Sequence, residues 1–94
     1  MLDLATVRAR CAGAIVAPGD PGYAQARREC GLTAGQEPAA IGFPLDGDDV
    51  ARMVGAAREA GLRVALQLAD RADGLGDLAR SLLLNVGEMG YAAA

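Results

Sequence analysis

A chain of 94 residues makes one small domain, and this one contains no His, Trp or Lys. Imidazole bases and ligands, side-chain Schiff bases and four-thiolate zinc sites are thereby excluded, and no metal site is expected. A net charge of −3 gives no footprint for nucleic acid or an anionic membrane, and no apolar run is long enough to span a bilayer.

Asp3 is placed to cap a short first helix whose Leu4, Val7 and Cys11 fall on one apolar face. Ala12-Gly13 breaks it, and Ala14-Ile15-Val16-Ala17 reads as a short buried strand closed by Pro18-Gly19. Asp20-Pro21 then reads as an N-cap with Pro in the first helical position, opening a helix through Tyr23–Cys30 that stops at Gly31. Residues 33–38 read as loop. A second strand over 39–43 ends at Pro44. Asp46, with Asp49 three residues on, resembles a capping box and opens a helix with Val50, Met53, Val54 and Ala57 inward. Arg52, Arg58 and Glu59 face outward, and Gly61 ends it. Helix capping and dipole complementarity account for the Asp46, Asp48, Asp49 trio without a metal.

Arg63 to Leu68 reads as a third strand, so nearly continuous in apolar character that both faces should be covered. Residues 70–77 read as a polar loop. Periodicity leaves Ser81 to Val86 open between a fourth strand and a helical turn. Strand, helix, strand, helix, strand implies an α/β fold with a three- to four-stranded, mostly parallel sheet and βαβαβ crossovers. Hydrophobic residues are 52% of the chain but aromatics only 3%, so Ala, Leu and Val must build the core, and the margin at this length is thin. An oligomer would relieve it. Cys11 and Cys30 can pair or remain reduced; the absence of a signal-like N-terminus points to a cytoplasmic chain with reduced core thiols.

The order of elements meets a recognisable text. Val16-Ala17-Pro18-Gly19-Asp20-Pro21-Gly22-Tyr23, Ala26-Arg27-Arg28, Pro38-Ala39-Ala40-Ile41, Asp48-Asp49-Val50 and Ala57–Ala65 together resemble the N-terminal segment of the FAD-linked oxidases. The family is the vanillyl-alcohol oxidase and p-cresol methylhydroxylase (PCMH) group, especially its bacterial berberine-bridge-like members. The resemblance implies that residues 1–94 form a single domain equivalent to half of a PCMH-type FAD-binding domain. In the family a second flavin-binding subdomain and a substrate domain follow, and FAD lies between the two flavin subdomains. Ser81–Met89 resembles the family's G-L-L-L-D-L-S-R-M segment, which favours a strand there.

The family's flavin turn, R-G-G-G-H-S, corresponds to Gln67, Leu68, Ala69, Asp70, Arg71 and Ala72. Leu68, Ala69 and Asp70 replace the three glycines, which restricts positive φ and close backbone approach. Asp70 sets a negative charge where the pyrophosphate would lie, at a cost of about a few kcal/mol. Arg71 stands in place of the His, so covalent flavin attachment is impossible. FAD is therefore implied by the resemblance but not expected to bind. Three functions compete beside a bland reading, a chain that folds but has no selected role. One is a degenerate subdomain acting as a homodimer or docking onto a larger protein, in the setting of bacterial secondary metabolism. Another is a small cofactor-free enzyme holding a small-molecule substrate by position alone, with Asp70, Arg71, Asp73 and Tyr91 as candidate polar groups. A third is a flavin-binding fragment completed by another chain.

Overall fold

The computed structural model describes residues 4–67 and 78–86. In chain order these form α1 (Leu4–Arg10), β1 (Ala14–Val16), α2 (Tyr23–Glu29), β2 (Ala40–Phe43), α3 (Gly47–Glu59), β3 (Arg63–Gln67) and β4 (Ser81–Asn85). The strands make one sheet in the order β1-β2-β4-β3. β2, β4 and β3 run parallel, and β1 joins β2 antiparallel with Ile15 opposite Gly42. The fold is α/β with a mostly parallel mixed sheet, as the alternation of elements implies.

Strand periodicity sorts the core into two layers. On one face, Ile15, Ala40, Leu82 and Leu84 pack with Val7 of α1 and with Met53, Ala56 and Ala57 of α3. On the other, Ile41 and Leu83 pack with Ala26 of α2, Cys30 and Leu78. α3 is the longest helix among the described residues. The Asp46 side chain caps it by accepting the Asp49 N–H at 2.8 Å, and Gly61 lies just beyond it at φ 73°. Gly31 does the same after α2, at φ 65°.

Four expectations need correcting. The β1–α2–β2 unit is not a parallel crossover, because β1 is antiparallel to its neighbour. β3 is an edge strand with Leu66 54% exposed, not a strand covered on both faces. The run buried on both sides is β4, which pairs with a strand on each side and buries Ser81 to Leu84. Lastly, Asp20 does not cap α2. Gly22 occupies that position without a side-chain cap, and the Asp20 carboxylate turns back to accept the Ala17 N–H at 2.8 Å.

The segment left open between strand and turn is a strand over Ser81–Asn85. Neither cysteine is in a disulfide. Cys11 packs on the α1/α3 side and Cys30 within the α2 side, so the sheet stands between them. No helix among the described residues is long and apolar enough to cross a membrane.

Candidate functional site at the carboxyl ends of the strands

Ligands of open α/β sheets sit beyond the carboxyl ends of the strands. Here those ends are Phe43, Gln67 and Asn85. Two polar clusters close them, one on each face of the sheet.

The first is built on Asp49, in the first turn of α3 and 0% exposed. Its carboxylate accepts the backbone N–H groups of Ala12 (2.9 Å), Gly13 (2.7 Å) and Leu45 (3.0 Å). One side chain thus ties the turn before β1 to the loop after β2. Gly13 is required by this approach, since a Cβ there would fall 2.1 Å from the Phe43 carbonyl oxygen. Burial pushes the Asp49 carboxyl upward, but the three N–H donors and the nearby Arg52 charge outweigh it, and its pKa lies below the ordinary value. The capping box is therefore one-sided. Asp46 caps as expected, whereas Asp49 does not reach back to it and serves a distant turn instead.

The second cluster is neutral. Gln67 and Asn85 are register partners at the ends of β3 and β4. Gln67 is 2% exposed; its Nε2 donates to the Cys30 carbonyl at 2.6 Å, and its Oε1 accepts from Asn85 Nδ2 at 3.2 Å. Asn85 Nδ2 also lies 3.4 Å from Cys30 Sγ. The strand ends are thereby braced to the end of α2. Asn85 and the Cys30 carbonyl carry no signal in the sequence beyond an amide closing each of two apolar runs.

Of the six flavin-turn positions, Gln67 alone is described, and its carboxamide is committed inward. Leu68, Ala69, Asp70, Arg71 and Ala72 lie outside the described residues, as do the candidate polar groups Asp73 and Tyr91 and the proposed cap Asp3. The carboxamides of Gln67 and Asn85 direct donors onto the protein's own carbonyl and amide oxygens.

The remaining polar side chains support the fold. Tyr23 donates its hydroxyl to the Pro38 carbonyl at 2.8 Å, and burial raises its pKa. The Ala17 N–H holds the Asp20 carboxyl below its usual range; burial opposes this, and the Arg8 guanidinium 2.6 Å away reinforces it. Burial, followed by the Asp49 charge, pushes the Cys11 thiol up, which makes it a poor nucleophile at neutral pH. A groove of about 340 Å³ between α1 and α3 is lined by Arg10, Arg52, Gly55 and Glu59. Among the described residues no group of acidic or thiol side chains is arranged to hold a metal.

No protein-family model matches the chain, and no curated protein does. Solved structures do. A variant of Physcomitrella patens BBE-like 1 superposes with a TM-score of 0.71 at 23% identity, covering 86% of this chain and 18% of that one. The wild-type form gives 0.69 at 21% identity, over 87% and 18%. At such identities the likeness is one of fold, and this chain spans under a fifth of the length of the proteins it resembles.

Proposed function

We propose that this chain is a degenerate relative of the first subdomain of a berberine-bridge-like FAD-binding domain, acting as a dimerising or partner-binding module and not as a flavin oxidase. The observation that carries this reading is the commitment of Gln67. It sits at the start of the family's flavin turn, buried and bonded to Cys30 and Asn85. The sequence that follows supports it, with Leu68, Ala69 and Asp70 where three glycines would let a backbone approach a pyrophosphate.

Flavin oxidation draws its chemistry from the cofactor, while the protein supplies position and electrostatics. With the Asp49 and Gln67–Asn85 clusters holding the strand ends, what this fold offers is a rigid sheet with surface for another protein. The test is size-exclusion of the purified chain with excess FAD, followed by visible absorbance. A colourless protein peak is expected. Flavin co-eluting in a fixed ratio to protein overturns the reading.

A further inference from the structure

The two edges of the sheet are built differently. β1 has three residues, and the Ile15 carbonyl at its outer edge accepts both Nε (3.1 Å) and Nη2 (2.9 Å) of Arg8. Arg8 is in turn held by Asp20 at 2.6 Å. A charged guanidinium on an edge carbonyl is a common way of refusing a further strand.

β3 has five residues and no such cover among the described residues. Arg63 donates its N–H to the Arg80 carbonyl, and the Gln67 carbonyl accepts from Val86, so positions 63, 65 and 67 face β4. The N–H and C=O groups of Val64 and Leu66 therefore point away from the sheet. Leu66, at 54% exposure, is one of the two large apolar side chains most open to solvent among the described residues.

We infer that the β3 edge pairs antiparallel with the β3 edge of a second copy about a two-fold axis at Ala65, an inference that rests on the module reading above. The sequence Arg63-Val64-Ala65-Leu66-Gln67 is self-complementary in that register. Val64 meets Leu66 of the second copy, and Leu66 meets Val64 of the second copy. These are the positions whose N–H and C=O groups point outward and have no partner among the described residues, so their exchange gives four new hydrogen bonds. The same pairs set apolar side chains opposite each other on the α3 face and cover Leu66. Each Arg63 falls opposite a neutral Gln67, so the two cations stay at opposite ends. Because Arg8 closes the β1 edge, association stops at two chains and does not propagate into a fibre.

Light scattering over a concentration series tests this, with Leu66→Lys and Ala65→Cys alongside the wild type. The wild type is expected to reach twice its 9.5 kDa chain mass at high concentration. Leu66→Lys should keep the wild-type circular dichroism and remain at one chain mass. Ala65→Cys should form an interchain disulfide under mild oxidation, since a non-hydrogen-bonded antiparallel pair places its Cα atoms about 4.5 Å apart, within bridging range. A wild type that stays monomeric throughout overturns the edge dimer, while a colourless peak with FAD would still leave the module reading standing with another partner. A dimer that persists in Leu66→Lys, with no crosslink in Ala65→Cys, also overturns it and moves the interface elsewhere. Flavin uptake by a dimer that Leu66→Lys splits would overturn the module reading and still support the edge.

Discussion

The two polar clusters that close the strand ends differ in kind. On the α3 face a single buried carboxylate, Asp49, gathers three backbone N–H groups from two separate turns. On the α2 face two carboxamides, Gln67 and Asn85, brace the strands to Cys30 without any formal charge. Charge-assisted hydrogen bonds are roughly twice as strong as neutral ones, so the Asp49 cluster should dominate stability and should alone respond to acid. The amide cluster should contribute less and be indifferent to pH. Both occupy the place where an α/β sheet would otherwise receive a ligand, and both direct their polar groups into the protein.

Removing the charged tie should have the largest effect. Asp49→Ala leaves three backbone N–H groups without their acceptor and is expected to cost about 3–5 kcal/mol by denaturant unfolding. A loss below about 1 kcal/mol would break the ranking. Gly13→Ala attacks the same cluster from the other side, driving a Cβ into the Phe43 carbonyl, and should cost about 2–4 kcal/mol.

Acid should separate the clusters. The Asp49 carboxyl titrates below its unfolded value of about 3.9. Its contribution is therefore fully present above that pH and is lost as pH falls through the folded pKa. Thermal midpoints of the wild type should drop steeply below about pH 4, and Asp49→Asn should flatten that slope. Gln67→Ala should cost about 1–2 kcal/mol, by the same amount at pH 7 and at pH 5, because it removes a neutral amide donor from the Cys30 carbonyl without changing charge. An amide variant that steepened the acid response would contradict the division. Leu66→Lys should be the mildest when single chains are compared at concentrations below dimerisation, within about 0.5 kcal/mol, since in one chain that side chain is largely in solvent.

What could be read from the sequence was what is local. Asp46 caps the helix it precedes because donor and acceptor lie three residues apart, and Gly31 and Gly61 end their helices through their own φ. Strand order was not legible. β4 comes last of the described strands and inserts between β2 and β3, which turns the apolar Arg63–Gln67 run into an edge. Nor was the direction of β1: α2 begins beside Pro38 and ends beside Gln67 and Asn85, so residues 31–39 carry the chain back to the start of β2. Asp20 and Asp49 both carried cap-like spacing. Asp20 bonds the Ala17 N–H behind it and Arg8, while Asp49 bonds N–H groups as far as 37 residues back in the chain. Spacing alone does not reveal such distant partners. Within the site, the loss of glycines at 68–70 was plain from the residues, whereas the Gln67–Asn85–Cys30 brace needed three separate segments brought together.

The proposed module requires that the strand-end amides serve the fold and are not taken up by a flavin. The most direct measurement is the two-dimensional ¹⁵N–¹H spectrum of the side-chain amides of Gln67 and Asn85, assigned by Gln67→Ala and Asn85→Ala, with and without excess FAD. Dispersed, slowly exchanging signals that stay in place when FAD is added are expected. Signals at solvent-exposed positions, or signals that move in proportion to FAD, would contradict it.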